Sequence, residues 1–490
     1  MHPLPNPRAG RDFVRDPVHD CIPFTIPLPG EGAAESTLIS SPWLQRLRRI
    51  RQLQSAWWVY PGGTHTRFSH ALGVMHLAGR FAEVLSDSLE QIKTEFPAGL
   101  VQDLPSRAQL VETARLYGLC HDVGHGPFGH LFDQCWLEPE FEGITHEDVS
   151  VRIVRQELGP TIQDLPRGIA GELESGVDVE LLASLLTSEE GDGQAGEPFW
   201  ISALRQALHG PCSPDVMDFL MRDSLHCGTP EYGTIDIQRI FAHAFVDAER
   251  TKGLAFHCSV VPALQNFALA RLSMYENVYF HRTARAADAL LAELLPDTLR
   301  LMNVGNPLDS LEDYLYLDES TVLGEVISWR GSDHEPKRDT YRKWEPLLSR
   351  RELLKEAYAW RLTFRDLSEV EAFTLGDPKH LKQSIKDRIT GHLPGDHKDV
   401  QFYVDVPGLD VRPVNPILER HPIGIFTPAR EDPREGDVHP TSIPELLANL
   451  PVKYVACRVF CEAGDVAVVR EAAERALATG GPPRLQSTTH

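Results

Sequence analysis

The stretch from Cys120 to Asp133, Cys-His-Asp-Val-Gly-His-Gly-Pro-Phe-Gly-His-Leu-Phe-Asp, restricts this chain more than any other. Leu110, Val111, Ala114, Leu116, Tyr117 and Leu119 keep the spacing of one apolar helical stripe, so a helix delivers His121 and Asp122 at its C-terminal end. Gly124, Gly126, Pro127 and Gly129 then stop the helix and let backbones approach closely. Neutral imidazole suits Fe, Mn, Zn or Ni, and carboxylate suits Mg and Mn, so the pair offers a divalent ion two ligands of mixed type. A lone His-Asp dipeptide is more often a cap or a core hydrogen bond. Followed by Gly-His-Gly-Pro and a third histidine, it reads as metal or catalytic. Further ligands must come from elsewhere. His70, where a loop enters a helix, and Asp215, heading the run Ser213–Ser224, are the candidates; an N-cap role competes for Asp215, and Asp218 competes with it as ligand. Two His and two Asp leave positions for water and a phosphate oxygen, which suits metal-assisted phosphate hydrolysis.

The pattern along the 490 residues predicts a mainly α protein: a helical core with a smaller mixed α/β C-terminal region. Residues 1–36 read as an arm with a short strand pair near Cys21–Ile26, 37–301 as the helical core, and 302–375 as a helical extension with helices over 308–328 and 340–361. Residues 376–479 read as an α/β region with strands at Gln401–Val406 and Lys453–Phe460 and a closing helix at Glu462–Leu477, and 480–490 as a disordered tail. With 42% hydrophobic and 24% charged residues the chain is of soluble globular type, and no apolar run approaches the roughly 20 residues of a membrane span. The N-terminus lacks a secretory stretch, and eight cysteines without a C-x-x-C pair read as reduced thiols, so a cytoplasmic location is expected. A net charge of −22 repels polyanions, which argues against a dedicated nucleic-acid binder but permits a phosphate-bearing small substrate. The run Arg46–Arg51 carries four arginines in six residues; it reads either as a solvated basic helix face or as a nucleotide contact.

Several blocks, in order, resemble the HD-domain phosphohydrolases and, within them, the deoxynucleoside triphosphate triphosphohydrolases of the sterile-alpha-motif/HD type and their bacterial relatives. They are Asp16-Pro17-Val18-His19, the Leu44–Leu53 run, Val59-Tyr60-Pro61-Gly62, Arg67-Phe68-Ser69-His70, the His121–Asp133 stretch, Thr145-His146-Glu147, the Asp218–Ser224 run and Tyr279-Phe280-His281-Arg282. The likeness covers about residues 11–300. It implies a divalent metal (Mn, Fe, Mg or another transition metal) held by His70, His121, Asp122 and Asp215, and selects Asp215 over Asp218. It implies that His130 protonates the leaving 5′-oxygen, with Asp133 three residues on to hold its imidazole, and that His125 and His146 are further catalytic histidines on phosphate. For the substrate it implies Gln52, Leu53 and Asp223 at the deoxyribose, Tyr279 against the 2′ position, Phe219 packing on the sugar, and Arg67 and Arg271 on phosphate. The expected reaction is hydrolysis of a dNTP to deoxynucleoside and inorganic triphosphate by a tetrameric or hexameric homo-oligomer, with a nucleotide effector left open. Val216 stands where the family carries a phosphate-binding lysine, Phe219 replaces its tyrosine, and Ser40 and Asp12 replace residues that read an activating guanine nucleotide; Arg48 and Gln45 match other residues of that regulatory site. The alternatives are an HD phosphohydrolase acting on another nucleotide, such as a monophosphate or alarmone, or a non-catalytic regulator binding nucleotide or single-stranded DNA.

Overall fold

The structure is a computed structural model that describes residues 10–95, 101–187 except 102, 197–248 except 211, 253–364, 378–410, 424–429, 436–440 and 451–478 except 452. The expected tail at 480–490 lies outside the described residues.

The helical core is built on two long apolar helices. Arg67–Glu95 buries seventeen of its residues, and Arg107–Cys120 buries all but two positions; they share one hydrophobic core. Ser106 caps the second helix by accepting from the Gln109 amide at 3.2 Å. Gly118 sets how closely the two helices meet, because a Cβ there would lie 2.6 Å from the Met75 backbone nitrogen. The helix Pro214–Cys227 joins them. Ser213, not Asp215, is its N-cap, accepting from Val216 N at 3.3 Å, so the Asp215 carboxylate is free to point elsewhere. Gly73 admits this helix to the first, since a Cβ at Gly73 would sit 1.9 Å from Asp218 Oδ1.

The N-terminal strand pair forms as an antiparallel hairpin of Arg11–Asp16 and Asp20–Thr25. Helices at Val179–Leu186, Phe199–His209, Val261–Met274 and Arg282–Leu301 fall where the apolar periodicity puts them. A small sheet inside the core was not anticipated: Ala244–Asp247 pairs with Gly253–His257, and Gly424–Pro428 from the C-terminal region adds to it in parallel.

The helix expected over 340–361 is corrected. Glu335–Ser349 ends at Arg350, which adopts φ 52°, and Lys355–Phe364 is a strand. Its alternating Trp360, Leu362 and Phe364, with Ala357 beyond a shift in register, face an apolar core shared with Val455, Cys457 and Val459, against which the helices Pro378–His392 and Val466–Ala478 pack. That strand pairs antiparallel along Lys453–Cys461, whose other edge holds Phe402–Asp405. The resulting α/β module therefore begins near 355 and rests on Arg282–Leu301 through Arg285, bonded to Asp405 at 2.7 Å, and on the preceding turn through Phe280, stacked on Tyr454 at 6.1 Å.

The basic run divides: Arg48 and Arg49 are exposed, while Arg46 and Arg51 turn inward. Arg46 is fully buried and donates to the carbonyls of His125 and Leu317, each at 2.7 Å; Arg49 pairs with Asp318, and Arg51 with Glu319 at 2.6 Å. Tyr314 lies under the Arg46 guanidinium and donates to Gly124 O at 2.8 Å. The segment 311–319 thus fastens the glycine-rich turn to the arginine helix. Arg48 bonds Gln45 at 2.8 Å and covers the Phe68 ring.

Candidate metal centre

His70, His121 and Asp215 come from three different helices or helix ends and place one ligand atom each within 4.8 Å of the others. His70 Nε2 stands 3.0 Å from Asp215 Oδ1, and His121 Nε2 stands 3.8 Å from it. Ligands about 2.1 Å from one ion lie roughly 3.0–3.4 Å from each other, so the His70–Asp215 separation fits a shared cation and His121 stands slightly wide of it. The chemistry of the nitrogens agrees. His70 Nδ1 bonds Asp218 Oδ2 at 2.8 Å and His121 Nδ1 bonds Gly118 O at 2.8 Å, which turns both Nε2 atoms inward. The buried His121 Nε2 has no hydrogen-bond partner among the described residues, an orphan that an ion would satisfy. Burial works against a charge on His70, but Asp215 and Asp218 raise its pKa to about 10.

Asp122 lies beside this trio, 3.5 Å from His121 Nε2 and 3.9 Å from His70 Nε2, with Oδ2 bonded to Arg67 Nη1 at 2.5 Å. Burial would lift its pKa; His121, Arg67 and His125 hold it well below the usual carboxylate range. Of the four expected ligands, three are gathered tightly and the fourth is shared with an arginine.

Behind His70 stands a buried network in which Asp218, a rival ligand by sequence, supports His70 instead. Asp218 accepts from His19 Nε2 at 2.6 Å and from Arg222 Nε at 2.8 Å, and Arg222 reaches Asp16 at 2.7 Å. These partners outweigh desolvation and keep Asp218 well below its ordinary pKa. The Asp16–His19 turn therefore ties the N-terminal hairpin to the back of the centre. Its signal was the Asp218/Arg222 spacing of four on one helix.

The second histidine group adjoins the first through Asp122, whose Oδ1 is 3.3 Å from His125 Nε2. His146 Nδ1 bonds Asp133 Oδ2 at 2.6 Å, whereas His130 Nδ1 is 3.7 Å from the same oxygen and its side chain is 60% exposed. Asp133 thus holds His146 more closely than the His130 it was expected to hold. Burial favours the neutral acid at Asp133, but His130 and His146 carry its pKa below the ordinary value. For His125, burial, Arg67 and His146 all disfavour the imidazolium, so the ring is neutral.

The remaining candidates lie along one line. Asp215, Phe219 and Asp223 are spaced by four on the helix Pro214–Cys227 and share a face. Phe219 meets Tyr279 edge-on at 6.2 Å, and Tyr279 donates to Asp223 Oδ2 at 2.6 Å. Leu53 packs with Ala284 and Tyr279. Gln52 Oε1, Arg67 Nε and Arg271 Nε are buried without partners among the described residues. Arg271 stands 5.9 Å from the ring of Tyr275, which lies in the field of Asp215 and Asp223. His65, missed in the sequence, bonds Asp223 Oδ1 at 2.7 Å.

Fold and centre together define a helical protein organised round a His/Asp cation site. Residues 67–186 match the family model described as HD domain, so the chain carries an HD domain. It is 26% identical over 286 residues to the deoxynucleoside triphosphate triphosphohydrolase SAMHD1 homolog of Dictyostelium discoideum, covering 58% of this chain and 50% of that one. To deoxynucleoside triphosphate triphosphohydrolase SAMHD1 of Bos taurus it is 25% identical over 334 residues, covering 63% and 53%. To the uncharacterized protein YwfO of Bacillus subtilis it is 27% identical over 359 residues, covering 69% and 71%. The match spans about half the length of the two triphosphohydrolases. Among solved structures, a hypothetical protein from Aquifex aeolicus shares the fold at a TM-score of 0.65 and 22% identity, over 94% of this chain and 99% of that one. The HD domain contains His70 and His121, which with Asp215 form a His/Asp cluster able to hold a metal ion. Among the described residues, no helix is long and apolar enough to cross a membrane.

Proposed function

We propose that this protein hydrolyses dNTPs to deoxynucleoside and inorganic triphosphate. The observation that carries the reading is the stripe Asp215–Phe219–Asp223, which runs about 12 Å along one helix from the cation cluster to the Asp223–Tyr279 pair. A nucleotide laid along it presents phosphate to the cluster and sugar to Asp223. When bound, a divalent ion supplies Lewis acidity toward a phosphoryl oxygen and toward water; His70, His121, Asp215 and Asp122 are the residues that would hold it.

The rest is the work of the chain. Arg67 and Arg271, whose buried Nε atoms have no partner among the described residues, neutralise the polyphosphate. Arg67 is already oriented by Asp122. Water attacks the α-phosphorus and the bond to the 5′-oxygen breaks. His130, exposed at the mouth of the second cluster, gives that oxygen its proton. His146, fixed by Asp133, and neutral His125 line the phosphate. At the far end, Gln52 Oε1 and Asp223 offer acceptors to a sugar hydroxyl, with Leu53, Phe219 and Tyr279 as apolar walls.

A panel of dNTPs, rNTPs, monophosphates and an alarmone, assayed with added Mn²⁺, Fe²⁺ or Mg²⁺ and resolved by product chromatography, tests this. Equal release of deoxynucleoside and triphosphate from dNTPs alone is expected. Pyrophosphate or orthophosphate as the sole inorganic product would falsify it. Val216 favours a second reading, since the cation carried there by the resembled family is missing: a nucleotide with fewer phosphates, which the same panel would reveal.

A further inference from the structure

We infer that His65 is a positioning residue for Asp223, and that through Asp223 it governs recognition of the hydroxyl-bearing end of the substrate. The inference rests on the nucleotide reading above and adds a residue to it. His65 is held from three sides. Its backbone carbonyl accepts from the Gln52 amide at 3.1 Å, in the segment where Arg51 also bridges Thr66. Its ring stacks on His226 at 4.4 Å and 16°. Its Nε2 meets Asp223 Oδ1 at 2.7 Å, and its side chain is 2% exposed.

Asp223 is consequently clamped between two donors, His65 on Oδ1 and the Tyr279 hydroxyl on Oδ2 at 2.6 Å. Burial and the neighbouring Asp223 charge raise the Tyr279 pKa well above its ordinary value, so the phenol stays protonated and donates. Each carboxylate oxygen keeps a second lone pair. Gln52 Oε1, buried and unpartnered among the described residues, is an acceptor on the neighbouring backbone segment. The tautomer that donates from Nε2 leaves His65 Nδ1 bare, and that atom too has no partner among the described residues. The free polar atoms at this end are thus acceptors, a set that suits a ligand arriving with hydroxyl hydrogens. Without His65, Asp223 keeps only the Tyr279 bond and can swing about its side-chain torsions. The cation cluster, two helical turns away along Pro214–Cys227, does not touch His65 and keeps its own partners.

The test compares wild type, His65→Ala and His65→Gln with dATP and with 2′,3′-dideoxy-ATP. Glutamine returns an N–H donor of similar reach. Expected for His65→Ala is a KM for dATP raised about 10–100-fold with kcat lowered less than about threefold, and a loss of the preference for dATP over the dideoxy analogue. His65→Gln should recover most of the KM. Metal content and Tm, measured on all three, report whether the fold and centre persist. A fall confined to kcat, or an unchanged preference between the two analogues in a folded His65→Ala protein, overturns the role of His65. No turnover of dATP by the metal-loaded wild type would instead overturn the nucleotide reading itself.

Discussion

The molecule carries two clusters built from nearly the same residues, and they are not alike. In the first, the rings of His70 and His121 meet edge to face at 75° and 5.2 Å. Their planes cross, so two in-plane lone pairs can converge on one point, and each ring has its other nitrogen tied to the protein. In the second, His125 and His146 stack at 11° and 3.6 Å. Parallel rings share no in-plane point, so these two cannot ligate the same ion well, although the ligand atoms of His125, His130, Asp133 and His146 lie within 4.8 Å of one another. The stack leaves His125 neutral beside Arg67, His146 bonded to Asp133, and His130 open to solvent. Composition names a candidate metal site; ring orientation and the partners behind the ligands decide whether it is one.

The sharpest way to break this contrast is to delete one ring from each cluster. His121→Ala should bring bound metal, read by elemental analysis of protein purified without chelators, and turnover to background together. His146→Ala should keep the ion and lower turnover by about 10²–10³-fold, the range of one lost hydrogen bond to the phosphate in the transition state. Should His146→Ala lose metal as fully as His121→Ala, the two clusters would be one site and the comparison would fall. A smaller effect is expected one layer back. Asp218→Asn keeps the shape but weakens the carboxylate that turns His70, so a chelator competition should report affinity lower by about 10–100-fold with the ion still able to bind at saturation.

How much of this was legible from the residues follows a physical line. His121 and Asp122 were readable because a helix and a glycine-rich stop fix them in a local frame. His70 and Asp215 are legible only as candidates, with the family resemblance choosing Asp215 over Asp218, since nothing local says which distant helices converge; what brings them together is close packing at Gly118 and Gly73. The work of Asp218 stayed hidden because a carboxylate one turn from a ligand looks like a rival ligand until His70 Nδ1 is seen facing it. Arg46 is hidden for a related reason: charge in a helix suggests solvent, and the carbonyls that accept from it, those of His125 and Leu317, are remote in sequence. Residues 355–361 suggest helix because Lys, Glu, Ala and Leu favour helices locally, while pairing with Lys453–Cys461, about a hundred residues on, makes Lys355–Phe364 a strand.

The mildest test asks whether Asp133 is a fixed charge in the second cluster or part of a titrating pair. Its folded pKa is depressed, with burial overcome by His130 and His146. A carboxylate of that kind contributes stability fully above its unfolded pKa of about 3.9, and loses it only as pH falls through the lower folded value. Asp133→Asn should therefore cost about 2 kcal/mol, the scale of a buried bond to a charged acceptor. Measured by denaturant unfolding, the difference from wild type should stay level between pH 8 and pH 5 and shrink only in stronger acid. A level difference means that any acid limb in turnover over that range belongs to an imidazole, as a cluster built for proton transfer requires. A difference that changes between pH 5 and 8 would instead mean that the Asp133–His146 bond itself titrates there, and the second cluster would no longer present one fixed anion behind a mobile proton.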